Sequence, residues 1–286
     1  MENNDPNRII RVFPRRTKAT PDDALAFTKA PTKADLNALA FKVIDEVHIS
    51  VTFTYDIPKV EELYKKWSVL GVPVKVGGPA LGMAGGEFTP GLYLKQGYTI
   101  TSRGCRNNCW FCSVPKREKG FRELEIKDGW NILDDNILMS SKEHFTAVIE
   151  MLKRQPEYPI FTGGIEAKIL QPWQAELMKD AKTKRLYCAY DTPDDYEPLV
   201  DAGRIFQEAG FTKASHALCC YVLIGYKGDT FEKAEKRLYD TIRAGFVPYA
   251  MLWKNNDGET DPEWNKFQRE WVRPQIVGIK LKEIWG

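Results

Sequence analysis

Residues 98–112 read Tyr98-Thr-Ile-Thr-Ser-Arg-Gly104-Cys105-Arg-Asn-Asn-Cys109-Trp-Phe-Cys112. A short β-rich run, Tyr98 to Ser102, breaks at Gly104, and three cysteines follow within eight residues. Thiolates are soft donors that select zinc, copper(I) or iron–sulfur clusters. Three of them at these spacings can wrap one metal centre from a single loop. A structural zinc site wants four ligands, usually as two separated pairs, and the chain has no second Cys-x-x-Cys pair. A cluster held by three cysteines leaves one iron open, which suits chemistry better than scaffolding.

Cys105-x3-Cys109-x2-Cys112, with Phe111 just before the last cysteine, resembles the cluster motif of the radical S-adenosylmethionine (SAM) enzymes. The resemblance implies a [4Fe–4S] cluster on Cys105, Cys109 and Cys112, with SAM chelated at the open iron and the Phe111 segment near its adenine. It also implies reductive cleavage of SAM to a 5′-deoxyadenosyl radical, which abstracts hydrogen from a substrate. The electron would come from a donor of the flavodoxin or ferredoxin type. The fold implied is a partial (β/α)6 barrel.

The bulk composition agrees with an enzyme of this size. At 286 residues the chain can bury a sizeable core, and 43% hydrophobic with 28% charged residues is ordinary for a globular protein. Lys and Arg total 41 against 39 Asp and Glu, a balance that argues against a protein coating nucleic acid or an anionic membrane. No stretch approaches the length of apolar sequence a membrane span needs, and Met1-Glu-Asn-Asn-Asp-Pro lacks a signal peptide's apolar core. Six cysteines, three of them crowded into one loop, fit a reducing compartment with a metal site. The expectation is a cytoplasmic protein of unassigned oligomeric state.

Upstream of the loop, residues 1–40 are rich in Pro, Asn, Asp, Thr and Lys and read as an extended arm or irregular cap, with Arg15, Arg16 and Lys18 close together. Residues 41–90 carry a β-α-β pattern: Val47 to Phe53 as a strand, Val60, Leu63, Trp67 and Leu70 at helical spacing, then Val72 to Val76 before Gly77-Gly78. In organisation this Rossmann-like piece resembles the one preceding the radical domain in the cobalamin-binding branch of the family. That branch's Asp-x-His-x-x-Gly motif is absent, and His48 lies inside a strand as a packed residue. Glycines crowd residues 80–97, where a hinge and the boundary between the two pieces are placed.

Downstream, residues 91–260 alternate strands with helices, which gives a parallel sheet whose active end is at the strands' carboxyl termini. The resemblance implies an element that binds the SAM amino group, and two segments compete for that role: Asp134-Asp135-Asn136 and Gly163-Gly164-Ile-Glu166. The logic is the same for either: glycine lets backbone carbonyls approach the cation, and a carboxylate completes the charge. Asp191 follows the next strand and reads either as a ribose ligand, by family resemblance, or as a helix cap. Ile224 and Gly225 resemble the family's adenine-packing element, followed by Gly228-Asp229-Thr230. Cys188, Cys219 and Cys220 read as buried apolar strand residues. Lys116, Arg117 and Arg122 form a basic cluster after the loop, where cations could meet a carboxylate or phosphate of SAM or substrate.

Residues 261–286 read as an aromatic, helical tail in which Trp271 and Arg273 either cover the core or line the barrel mouth. The fold class is therefore α/β, a partial (β/α)6 barrel behind a small β-α-β cap. The substrate expected is a small molecule, first a nucleobase, nucleoside or modified RNA. The competing class is a non-catalytic iron–sulfur or zinc module that docks nucleic acid, and a third reading uses SAM without releasing a radical.

Overall fold

Ile9-Ile-Arg-Val12 is buried at all four positions and forms strand β1 of the computed structural model, which describes residues 5–286. The chain divides into two units, Met1–Gly129 and Trp130–Gly286, each described by itself. In the first, β1 lies between β2 (Ala26–Phe27) and β3 (Glu46–Ser50), with β4 (Val74–Gly77) beyond, and all pairs are parallel. Helix α1 (Lys33–Leu39) starts at a capping box of Thr32 and Asp35. Helix α2 (Val60–Trp67) buries Leu63 and Trp67 in one cluster with Ile10, Val12, Val47 and Ile49, and Gly71, at φ 72°, ends the turn that follows.

The extended arm expected over residues 1–40 is therefore replaced, from residue 9 on, by two strands and a helix. The signal was weak because the strand is short and carries an arginine at its centre. Arg11 is 1% exposed and is tolerated there because its guanidinium pairs with Asp23 and donates to the Gly91 carbonyl at 2.9 Å. The boundary expected near residues 80–97 also differs from the division observed at Gly129–Trp130.

The rest of the first unit holds β5 (Tyr98–Thr99), β6 (Ser102–Arg103), one helical turn α3 (Val114–Arg117) and β7 (Arg122–Glu123). β6 and β7 pair antiparallel, Ser102 with Glu123 and Arg103 with Arg122.

The second unit runs β8 (Asn131–Ile132), α4 (Lys142–Lys153), β9 (Ile160–Ile165), α5 (Pro172–Asp180), β10 (Arg185–Tyr190), α6 (Tyr196–Glu208), β11 (Leu218–Ile224), α7 (Phe231–Arg243) and β12 (Val247–Leu252). These strands are parallel and ordered β12-β11-β10-β9-β8, each beside its predecessor in sequence. Right-handed crossovers that advance in one direction put every helix on the same face. Burial follows: Leu186, Cys188, Cys220, Val222, Ile224 and Ala250 are fully buried towards the helices. Tyr187, Tyr221 and Tyr249 alternate onto the other face. The sheet is an open parallel row among the described residues.

The tail forms two helices, α8 (Pro262–Val272) and α9 (Pro274–Trp285), broken at Arg273-Pro274. Trp271 is 1% exposed, edge-on to Tyr239 at 5.1 Å and covered by the Lys280 ammonium at 4.3 Å from its ring. It belongs to the helical layer and does not line a mouth, while Arg273 is an exposed junction residue. Among the described residues no helix is long and apolar enough to cross a membrane.

Candidate functional site

The cysteine loop is clamped at its neck. β6 and β7 close it as a two-stranded ladder, and the Leu124 amide donates a hydrogen bond to the Thr101 carbonyl at 2.9 Å. Gly104, at φ 89°, has no room for a side chain, since a Cβ there would fall 1.8 Å from the Gly120 carbonyl oxygen. Cys105, Cys109 and Cys112 are half-buried. The Asn107 amide donates to the Cys105 sulfur and the Val114 amide to the Cys112 sulfur, both at 3.4 Å. N–H donors to cysteine sulfur are also found around iron–sulfur clusters, where they tune the potential. Among the described residues no three His, Cys, Asp or Glu side chains gather tightly enough to hold one metal ion. The thiolates of a four-iron cube bind different irons and stand farther apart than the ligands of one zinc, and the donor set of this loop, three thiols without a fourth partner in sequence, suits the cube. Exposed Trp110 stands edge-on to Phe111 at 5.3 Å.

The basic cluster after the loop is engaged within its own unit. Glu118 is 5% exposed and accepts from Arg122 at 2.9 Å, Arg117 at 3.3 Å and the Gly85 amide at 3.1 Å. Arg117 and Arg122 thereby fasten the glycine-rich segment to the loop's exit, while Lys116 is exposed.

In the second unit, the expected cofactor residues fall along one edge, at the carboxyl ends of β8 to β11. The two rival segments are neighbours. Asn136 donates to Glu166 at 2.6 Å, and a Cβ on Gly163 would sit 2.1 Å from the Asp134 carbonyl oxygen. The register of β9 against β10 jumps here, Leu186 pairing with Phe161 and Tyr187 with Gly164, a bulge that pushes Gly163 against β8. Asp134-Asp135-Asn136 and Gly163-Gly164-Ile-Glu166 thus form one acidic ledge.

Asp191 does not cap the helix after it. That role falls to Thr192 and Asp195, whose carboxylate accepts from the Thr192 amide at 2.8 Å and the Asp191 amide at 3.1 Å. Asp195 also holds Lys168 at 3.1 Å, and both Asp195 and Lys168 escaped the sequence reading, although Thr192-Pro-Asp-Asp195 is a legible capping pattern. Asp191 instead accepts from the Leu223 amide at 3.1 Å, bridging the ends of β10 and β11.

Burial pushes the Asp191 carboxyl up to about 6, against the opposing pull of that amide. A folded value above the unfolded 3.8 means the stabilisation is present below 3.8 and lost as pH rises through about 6. The stability difference between Asp191→Asn and the parent is expected to move in the variant's favour by up to about 3 kcal/mol across that window. Denaturant titrations at the two ends of the window measure it, and a pH-independent difference would contradict it.

Beyond Asp191, Ile224 is fully buried on the helix side and so is not placed to pack on a ligand. At the end of β11, the Gly225 amide donates to Asp229 at 2.9 Å, and Asp229 is held by Arg237 at 2.8 Å. Arg237 also donates to the Leu223 carbonyl at 2.9 Å, which ties this turn to α7. On the helix-free face, Tyr187 and Tyr221 stack at 4.4 Å with 7° between ring planes, and Tyr249 meets Tyr221 edge-on at 5.8 Å. Cys188 and Cys220 are fully buried and Cys219 nearly so, and burial pushes all three thiols up, Cys219 to about 11.

No protein-family model and no curated protein matches the chain. Among solved structures, the radical S-adenosylmethionine methyltransferase TsrM from Kitasatospora setae, with cobalamin and a [4Fe–4S] cluster bound, is similar with a TM-score of 0.60. The identity is 12%, and the match covers 85% of this chain and 74% of that one. At that identity the likeness concerns the fold: a mixed α/β architecture with parallel sheets, shared with a radical SAM enzyme.

Proposed function

We propose that the protein is a radical SAM enzyme acting on a flat, aromatic small molecule or nucleoside. The observation that carries this reading is the edge formed by Asp134–Asn136, Gly163–Glu166 and Asp191 on consecutive parallel strands, in a chain whose cysteine loop has the family's spacing. SAM carries an ammonium and a sulfonium, and an acidic ledge with close backbone carbonyls suits that charge. Cys105, Cys109 and Cys112 would hold the cluster, and the sheet of the second unit would supply strands of the partial barrel. When bound, cluster and SAM would supply a reducing electron, from a flavodoxin- or ferredoxin-type donor, and a carbon radical able to abstract hydrogen.

The chain's own residues do the rest. The β6–β7 neck fixes the loop, the amides of Asn107 and Val114 donate to the Cys105 and Cys112 sulfurs, and the Asn136–Glu166 bond orients the ledge. Tyr187, Tyr221 and Tyr249 offer a planar, polarisable face, which supports the aromatic substrate class. Trp271 is a core residue, so the substrate role is withdrawn from it.

The test is anaerobic reconstitution with iron and sulfide, followed by dithionite and SAM. Release of 5′-deoxyadenosine and methionine supports the proposal. Cleavage of SAM into other fragments favours chemistry without radical release, and a zinc-loaded protein that leaves SAM intact overturns it.

A further inference from the structure

The first unit holds a second constellation that the cluster does not use. β1 and β3 are neighbours although β2 and α1 separate them in sequence, so the winding reverses between them. Open α/β sheets bind ligands outside the strands' carboxyl ends at such a switch point. The loop leaving β1 carries Arg15, Arg16 and Lys18, and the segment leaving β3 carries Phe53, Tyr55, Asp56 and Lys59.

These two segments are fastened together. Arg15 donates to both Asp56 oxygens, at 2.9 and 3.0 Å, and Lys59 donates to one of them at 2.7 Å. The Asp56 side chain is 2% exposed, whereas Arg15 and Lys59 are 45% and 50% exposed. One buried carboxylate therefore holds two half-exposed cations in fixed positions, leaving net positive charge and several outward N–H donors. Aromatic surface adjoins them: the Arg15 guanidinium lies 5.0 Å from the Tyr55 ring centre, and Phe53 stacks on Tyr55 at 5.2 Å with 6° between planes. At the end of β4, Gly78 has φ 120°, and a Cβ there would come within 2.5 Å of the Val51 carbonyl oxygen, so the backbone is drawn in close. His48, in β3, has both ring nitrogens engaged, with Tyr93 at 2.8 Å and Glu46 at 2.6 Å, so it is not poised to ligate a metal.

We propose that the surface at the carboxyl ends of β1 and β3 binds a nucleotide-class anion, with Arg15 and Lys59 on the phosphate and the Tyr55–Phe53 stack beside the ring. The combination of paired cations and a planar apolar wall selects a phosphate ester carried on an aromatic ring over either part alone.

The experiment is calorimetric titration of the purified full chain, without iron, using adenosine monophosphate, adenosine and inorganic phosphate. Adenosine monophosphate is expected to bind at least tenfold tighter than either fragment. Lys59→Gln, which leaves the Arg15–Asp56 pair intact, and Tyr55→Leu should each weaken it at least fivefold without altering the melting temperature by more than a few degrees. Equal binding of nucleotide and phosphate overturns the proposal, as does nucleotide binding that neither variant affects, which would place it elsewhere. Because no iron is present, a failure here is distinct from a failure to cleave SAM.

Discussion

Cys109→Ser, purified and reconstituted without oxygen, is expected to retain less than about a tenth of the parent's iron and to cleave SAM at less than about a thousandth of its rate. Cys109 sits mid-loop, its carbonyl accepting from the Cys112 amide at 3.0 Å, so the two thiols share one turn. A serine keeps that turn and removes only the soft donor. Cys220→Ala is the matched control. Its thiol faces the helices, is fully buried and is pushed up by that burial, so it is inert as a ligand. The control should lose some stability and no iron. Equal iron in parent and Cys109→Ser would remove the loop from the chemistry.

The second large effect separates two adjacent glycines. Gly163→Ala is expected to destabilise the fold by about 3 kcal/mol, because its Cβ would fall 2.1 Å from the Asp134 carbonyl oxygen and 2.9 Å from the Asp134 amide nitrogen. These are backbone atoms, which cannot rotate away, so β8 and β9 must part and the Asn136–Glu166 bond at 2.6 Å with them. Gly164→Ala meets nothing within 4 Å and needs no unusual backbone, so it should be neutral or stabilise by about 0.5 kcal/mol through the unfolded chain. Denaturant unfolding of both variants decides the matter. Equal losses would mean the bulge is slack.

The order of strands and helices in the second unit was legible because each element carries its own period and its own stop, as in the nearly unbroken apolar run Leu218–Ile224. The glycines of the cluster loop were legible as turns, but the lack of room at Gly104 was not, since it depends on Gly120 across the neck. The competition between Asp134–Asn136 and Gly163–Glu166 had no answer in sequence, because strands some thirty residues apart become neighbours only when the sheet forms. Arg11 hid β1, its burial depending on Asp23 and on Gly91 far along the chain. Asp191 and Ile224 were located correctly at strand ends, but their orientation is set by pairing with β11 and by the side on which the helices lie. Arg117 and Arg122 read as free charge because nothing in their neighbourhood marks Glu118 as the buried acceptor of both.

The most direct test of the central claim, an iron cluster with one position open to SAM, is electron paramagnetic resonance of the reduced, reconstituted protein with and without SAM. The expected result is a signal of a reduced four-iron cluster whose line shape changes on adding SAM, in a protein carrying about four irons. A signal indifferent to SAM, or a protein that takes up one zinc in place of iron, would contradict it.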